Sequence, residues 1–559
     1  VLERGTDRFQ ILVVLAAQFL GEKPDLPFVR DLRGDALRLY HQRDQVVVER
    51  QLQQACMRLL DQQFGQVEHG QCFAPLIAAT AAEKLAGFFV YTTHIVLEST
   101  GLGHSMAMTT AITKSSSLDP ETDRLAELAQ DVIRLCRARG ASQAEVSLSD
   151  DQGLSVNVRM GEVETVERNR DRGVAVTVYF DKRKGTASTA DLQAGSLEST
   201  VDQACAIARF TEEDSFAGLA DAELMATRFP ELDLWHPWVL DADAAVALAL
   251  QAEAAGRGAD KRIANSDGAG VSSGQSIAVY ANSHGFVAGE RSTSHSISCS
   301  LIAGKDDGMQ RDYWYTAALS ADDLESAASV GRRAAERTVA RLAPRSIVTG
   351  DYPVLFSAEV ARSLVGHLLG AISGGALYRR ASFLLDSVGT QILPSWISMV
   401  EKPLLRRGLR SAAFDADGVA TREQDLVRDG VLTRYVLGSY SARRLGLATT
   451  GNAGGMHNLE VSANAGGLDA MIRDMGRGLL VTELMGQGVN SITGDYSRGA
   501  AGFWVENGEI AHPVDELTIA GNLLEMFRSI EAIGTDVDRR SHIAMGSLQL
   551  GRMTVAGSA

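Results

Sequence analysis

The sequence predicts an α+β fold, with an N-terminal α/β layered region followed by a large, mostly antiparallel β C-terminal domain. Three observations carry that prediction. Between residues 119 and 209 a helical pattern, a set of alternating strands and a second helical pattern follow one another, the order of an α+β layer. Residues 230–344 repeat that style. From Gly350 onward glycine becomes frequent, and short alternating runs are separated by turn pairs such as Asp417-Gly418, Asp429-Gly430 and Asn507-Gly508. The expected segments are 116–232 (an N-terminal α+β domain), 233–344 (a central α+β segment) and 350–558 (the β-rich C-terminal domain), with residues 1–107 set apart as an extension.

The first helix opens at Asp119-Pro120, because aspartate suits the N-cap and proline the first helical position. Leu125, Leu128, Val132 and Leu135 then form one apolar stripe, which Gly140 ends. Strands are predicted where Val146 and Leu148 alternate, and again at Leu154, Val156 and Val158. The strongest set is Val174, Val176, Val178 and Phe180. Gly161 and the run Asp181-Lys182-Arg183-Lys184-Gly185 read as turns. A second helix is expected over 196–209, with Leu197, Val201, Ala204, Cys205 and Ala208 inward. In the next segment an Ala-rich helix is expected over 240–255 and strands over 276–280, 286–292 and 296–303. A hairpin turn falls at Asn282-Ser283-His284-Gly285. A long helix is expected from Ser320-Ala321-Asp322-Asp323, a capping-box-like start, to near Leu342.

The chain has 559 residues, 22% of them charged and 45% hydrophobic, an ordinary globular composition. Its formal charge of −16 repels phosphate backbones and argues against a nucleic-acid partner. Cys56, Cys72, Cys136, Cys205 and Cys299 form no Cys-x-x-Cys pair. They read as reduced cytoplasmic thiols, not as a disulfide framework or a structural zinc site. No apolar run reaches the roughly 18 to 20 residues that a membrane span needs. Residues 11–20 come nearest to a signal segment, but Glu3 and Asp7 spoil the positive flank. A cytoplasmic protein with no membrane association is expected. Residues 1–107 hold Gln-rich patches such as His41-Gln42-Arg43-Asp44-Gln45 and lack turn punctuation. They read as an upstream translation artefact or a loosely packed extension, the other reading being an accessory partner-binding region.

Several long segments, in order, resemble the TldD/PmbA family, and more closely its PmbA branch, also called TldE. They are Asn282-Ser283-His284-Gly285, residues 357–375, Phe383-Leu384-Leu385-Asp386-Ser387, Ser439-Tyr440-Ser441-Ala442-Arg443, and residues 482–508. The last contains Gly486-Gln487-Gly488-Val489-Asn490-Ser491-Ile492-Thr493-Gly494-Asp495-Tyr496-Ser497-Arg498-Gly499. The resemblance covers about 120 to 558. It implies a zinc-peptidase assembly of the bacterial or archaeal cytosol in which a TldD-type and a PmbA-type chain pair as a heterodimer. It further implies that the TldD-type partner carries a His-Glu-x-x-x-His motif with a third, cysteine ligand, and that the pair encloses a cleft for extended, unfolded peptide. The family is linked to maturation of modified peptides, to removal of unfolded antitoxin and, by older naming, to modulation of DNA gyrase.

The family's motif frame falls on Arg362-Ser363-Leu364-Val365-Gly366-His367. In such a motif two histidines bind the metal and the glutamate activates water. Here Arg362 stands in the first ligand's place, and a guanidinium stays protonated and offers no lone pair. Ser363 stands in the base's place with too weak an acid–base group. The family's late cysteine ligand aligns with Met545, whose thioether is a poorer zinc ligand than a thiolate. His367 remains alone, whereas zinc needs about three protein ligands. No catalytic residue and no metal are therefore expected in this chain, and the zinc is expected in the TldD-type partner. His367 then reads as a helix histidine satisfied by backbone or a neighbour. His284, His295, His457 and His512 lack ligand spacing and read as structural or surface residues. Residues 281–285 superficially resemble a nucleophile elbow, but strand signals on both sides favour a hairpin.

Gly486, Gly488, Gly494 and Gly499 leave backbone exposed between strand formers. Such a segment either adds a strand to an extended peptide through main-chain bonds or is a Gly-rich bulge that packs. The resemblance favours a substrate-cleft wall of Gly486, Gly488, Thr493, Gly494, Asp495, Tyr496 and Ser497. The resulting expectation is a non-catalytic partner subunit. Two alternatives stay open: an active metalloprotease with displaced ligands, and a regulatory binding protein acting on gyrase.

Overall fold

The structure, a computed structural model, describes residues 119–557. The extension expected over 1–107 lies outside the described residues. Helix α1 (Pro120–Ala138) begins at Asp119-Pro120, but Asp119 makes no side-chain cap; its carboxylate lies 3.7 Å from Arg291 instead. Strands β1 (Gln143–Arg159) and β2 (Glu162–Phe180) pair antiparallel along their whole length. The two alternations expected as separate strands are thus one. Residues 149–153 between them are held in register by β2 on one side and by β4 (Ile263–Asn282) on the other. Paired neighbours impose the extended geometry that Ser, Asp and Gly do not favour on their own. Met160 and Gly161, at φ +54° and +85°, make the connecting turn.

β3 (Arg183–Thr189), α2 (Ala194–Phe210) and α3 (Ala242–Arg257) follow. The α3 N-terminus is capped by Asp241, which accepts from the Ala244 amide at 2.8 Å. With β5 (Val287–Ala303) and β6 (Gln310–Ala318) the strands form one sheet in the order β3-β2-β1-β4-β5-β6. Pairing of β1 with β4 crosses the boundary drawn at 232/233, so those two segments share a sheet. The last helix of this half, α4 (Ala327–Ala340), is capped by Ser326, and Ser320 caps only a short turn at Ala321–Asp323. The four helices cover one face: Leu125, Val132 and Val201 pack on Val146 and Val176, and Ala249, Val330 and Ala334 pack on Val156, Val271 and Leu301. The other face carries small residues, among them Ser149, Gly153, Ser272, Gly274, Ser292 and Ser294, none fully buried.

The C-terminal half holds two sheets. Its elements are β7 (Gly350–Phe356), α5 (Ala358–Ala371), α6 (Gly374–Tyr378), β8 (Met399–Glu401), β9 (Gln424–Arg428), β10 (Val431–Leu432), α7 (Ser439–Leu445), β11 (Leu459–Val461), α8 (Leu468–Met475), β12 (Gly478–Met485), β13 (Asp495–Glu506), β14 (Glu509–Asn522), α9 (Leu523–Arg528), β15 (Ile530–Ile533), β16 (Ile543–Ala544) and β17 (Leu548–Ala556). One sheet runs β10-β9-β8-β11-β16. The other runs β14-β13-β12-β7-β17-β15, and an added β14–β17 pairing closes its first five strands into a ring. Pairing is mostly antiparallel, with parallel exceptions at β7–β12 and β11–β16. The expected turns at Asp429-Gly430 and Asn507-Gly508 are present, with both residues at positive φ as such two-residue hairpins require. Among the described residues no helix is long and apolar enough to cross a membrane.

Candidate functional site

Helix α5 carries the motif frame. Ala361, Leu364, Val365 and Leu368 recur at helical spacing and are buried, packing with Phe356 and Val481 in the largest apolar cluster. That leaves Arg362, Ser363, Gly366 and His367 off the buried stripe. Arg362 donates through Nη1 to Asp538 Oδ2 (3.1 Å) and through Nη2 to Tyr315 Oη on β6 (3.0 Å). One guanidinium thereby ties α5, the loop before β16 and the N-terminal sheet together. Arg540 donates to Asp538 Oδ1 through Nε (2.9 Å), pairs with Glu359 (3.1 Å) and lies over the rings of Trp314 and Tyr315. Burial alone would raise the Asp538 pKa, but the Arg540 hydrogen bonds and the Arg540 and Arg362 charges outweigh it and hold it below the ordinary value.

Ser363 Oγ donates to the Val360 carbonyl (2.7 Å), a helix-internal bond. The His367 ring meets Tyr496 edge-on at 6.0 Å between centroids. Its Nε2 is buried with no hydrogen-bond partner among the described residues, so the expected satisfaction by backbone or a neighbour fails at that atom. Burial, and then the Arg498 charge, hold its pKa below the ordinary value. Met545 is 1% exposed and packs in the same cluster as α5.

Zinc needs about three lone-pair donors and an open position. Of the four frame positions only His367 offers such a donor; Arg362 is committed as a cation, Ser363 is turned to its own helix, and Met545 lies in the core. These residues do not fit a zinc ion. Among the described residues no group of three or more His, Cys, Asp or Glu side chains gathers as a metal site.

The cleft-wall segment is a hairpin closed on itself. The Ser497 amide donates to the Gly488 carbonyl (2.7 Å) and the Asn490 amide to the Asp495 carbonyl (2.8 Å). β13 is then paired with β12 on one edge and β14 on the other. The backbone expected to be open for strand addition is already taken. The glycines answer local sterics instead: a Cβ on Gly488 would lie 2.0 Å from the Ser497 carbonyl oxygen, and Gly494 sits at φ +81°. Gly486, Gly488, Thr493, Asp495 and Ser497 are exposed, whereas Gly494 and Tyr496 are buried. Tyr496, at 1% exposure, departs from the expected role of cleft wall; it supports the hairpin from beneath, against His367.

The four histidines read as structural or surface residues each have a partner. His295 Nε2 lies 2.9 Å from the His236 carbonyl, His284 Nε2 lies 3.2 Å from the Ala220 carbonyl, and His512 Nδ1 lies 3.2 Å from the Pro513 carbonyl. His457 is not isolated. Its Nδ1 lies 2.8 Å from Glu401 Oε1, and the same buried carboxylate accepts from Arg434 Nη2 (2.6 Å) and Asn452 Nδ2 (2.7 Å). Sequence reasoning missed this network because its members lie up to 56 positions apart and share no spacing.

The fold, with the motif frame on its α5 helix, is that of a metallopeptidase family. Three family models match in sequence order: PmbA/TldA metallopeptidase domain 1 over residues 144–208, the central domain over 235–342 and the C-terminal domain over 349–557. The metalloprotease PmbA of Escherichia coli O157:H7 is 48% identical over 450 residues, covering 80% of this chain and 100% of that protein. The PmbA homolog of Haemophilus influenzae is 45% identical, covering 81% and 100%. The crystal structure of a proposed modulator of DNA gyrase from Bacteroides thetaiotaomicron superposes with a TM-score of 0.75 at 27% identity, covering 78% of this chain and 99% of that one. TldE from Thermococcus kodakarensis shares the fold, with a TM-score of 0.69 at 20% identity, covering 77% and 100%. The chain belongs to the PmbA/TldD metallopeptidase family.

Proposed function

We propose that this chain is the non-catalytic, PmbA/TldE-type subunit of a cytoplasmic TldD-type zinc peptidase. It shapes the cleft that receives unfolded or extended peptide, and the zinc is held by the TldD-type partner. The observation that carries the reading is the commitment of Arg362. At the position of the first metal ligand a permanent cation is locked to Asp538 and Tyr315, and a positive charge there opposes a divalent ion. The exposed hairpin residues Gly486, Gly488, Thr493, Asp495 and Ser497 supply part of the cleft's rim.

The test is metal analysis of the purified chain, followed by co-expression with a TldD-type chain. The chain alone is expected to hold no stoichiometric zinc, and the co-purified pair is expected to hold zinc and cleave an unfolded peptide. About one tightly held zinc per chain, in the absence of the partner, overturns the reading. The unpartnered Nε2 of His367 favours one alternative, an active peptidase with displaced ligands. That alternative requires peptide cleavage by the chain alone that His367→Ala abolishes.

A further inference from the structure

Where β15 pairs with β17, at the edge of the second C-terminal sheet, an open cavity of about 420 Å³ is lined by Arg528, Ser529, Ile530, Glu531, Gly551 and Arg552. Two interruptions of the strand ladder build it. Leu550 and Met553 on β17 pair with Val354 and Tyr352 on β7, so Gly551 and Arg552 together stand opposite Pro353, which has no amide to give to the ladder. Ile530 and Ala532 on β15 pair with the consecutive Leu550 and Gln549, so Glu531 has no residue opposite it. Extra residues of this kind re-aim side chains and recur beside functional sites. The Gly551 amide donates to the Ser529 carbonyl (3.2 Å), which sets Arg528, the last residue of α9, and Arg552 on adjoining stretches of chain.

The three charged side chains that line the cavity do not answer one another. Arg528, Glu531 and Arg552 are exposed, and neither guanidinium forms an ion pair or a hydrogen bond among the described residues. The carboxylate is fixed in place. Gln549 Nε2 donates to Glu531 Oε2 (3.2 Å), and a Cβ on Gly551 would lie 2.4 Å from Glu531 Oε1. Glycine at 551 thus makes room for the carboxylate, and Oε1 is left to accept from a guest.

We propose that this cavity binds a small zwitterion, with Arg528 and Arg552 taking its carboxylate and Glu531 its ammonium group. A short unblocked peptide carries both groups; naming it as the guest rests on the peptide-binding role given above, whereas the charge pattern does not. Guanidinium groups give a carboxylate charge-assisted N–H···O bonds, and an ammonium group gives one to Oε1. The volume falls within the range of small-molecule sites, about 300–1,000 Å³.

The test is a ligand-observed NMR titration of the full chain with dialanine, acetyl-dialanine and dialanine amide. Dialanine is expected to bind saturably, and each blocked form about tenfold more weakly. Arg528→Gln and Arg552→Gln are each expected to weaken dialanine about tenfold, and the lysine variants by less. Glu531→Gln is expected to weaken dialanine and leave acetyl-dialanine unchanged. Arg168→Gln removes an equally exposed guanidinium on β2, outside the cavity, and is expected to change nothing. Unchanged urea midpoints verify that the variants are folded. Absence of saturable binding, blocked forms that bind as tightly as dialanine, or an equal loss from Arg168→Gln overturns the site. Failure of the co-purified pair to cleave peptide would instead overturn the partner reading and leave a measured zwitterion site standing.

Discussion

The two halves of the described chain handle buried charge differently. In the N-terminal half Asp150 and Glu253 are each answered by one nearby regular element. Asp150 on β1 takes Arg170 and Arg172 from the paired strand β2. Glu253 on α3 takes the amides of Met160 and Gly161 at the β1–β2 turn, both at 2.7 Å. In the C-terminal half Glu401 gathers Gln424, Arg434, Asn452 and His457, and Asp538 gathers Arg362 and Arg540. The strands differ in the same sense. β1 and β2 run 17 and 19 residues, whereas β8, β10, β11 and β16 run three, two, three and two. Where long register orders the backbone, ion pairs are additions to it. Where strands are this short, buried charge networks hold the segments in place.

The largest expected effect tests that contrast. Arg434→Ala leaves Glu401, 1% exposed, without its guanidinium and is expected to cost about 3–5 kcal/mol in urea unfolding. Arg170→Ala removes a partner that is itself 45% exposed, leaves Arg172 in place, and is expected to cost under about 1 kcal/mol. Equal losses from the two variants would break the distinction. Next comes a pure packing test in the N-terminal half. A Cβ on Gly331 would lie 1.9 Å from the Ala252 carbonyl oxygen, so Gly331→Ala forces α3 and α4 apart at about 1–3 kcal/mol, read as a lowered urea midpoint.

The pH dependence sharpens the contrast further. Desolvation pushes Glu290 on β5 up to about 7. The folded state therefore keeps a proton that the unfolded chain releases above about 4.5. Its contribution is full below that value and is lost as pH rises through about 7, on the order of 3 kcal/mol in all. Glu290→Gln is expected to flatten the stability profile between those limits. Asp538 has the opposite sign. Its pKa lies below the ordinary 3.8, so its contribution is present above that value and is lost as pH falls through the lowered one. Asp538→Asn is expected to flatten the acid limb of the same profile. Smallest of all, Ser294→Thr, at an exposed position on the sheet face away from the helices, is expected to move stability by less than about 0.5 kcal/mol, and a loss above about 2 would mean that this position packs against something.

Much of the architecture was legible locally. Asp119-Pro120, Asp241 and Asn507-Gly508 mark ends and turns through chemistry confined to a few residues, and each falls where the pattern placed it. The first half of β4 was not legible, because Ser and Gly between Asn265 and Gly274 carry little strand preference until β1 and β5 pair with them on both sides. The helices α6 to α9 were under-read for a related reason: they run only five to eight residues, and the frequent glycines around them resemble strand-and-turn sequence. At the candidate site the substitutions at 362, 363 and 545 were visible as residue types, but the closure of the 486–499 hairpin on itself was not.

The sequence by itself determined the family, the positions of the hairpin turns and the loss of lone-pair donors from the motif frame. Each of these follows from residue identity and short-range chemistry. Only the tertiary structure decided what replaced the missing ligands: Arg362 meets Asp538 across 176 positions and Tyr315 across 47. Electrostatic and hydrogen-bond partners are chosen by distance in space, and that distance is set by the packing of the whole chain.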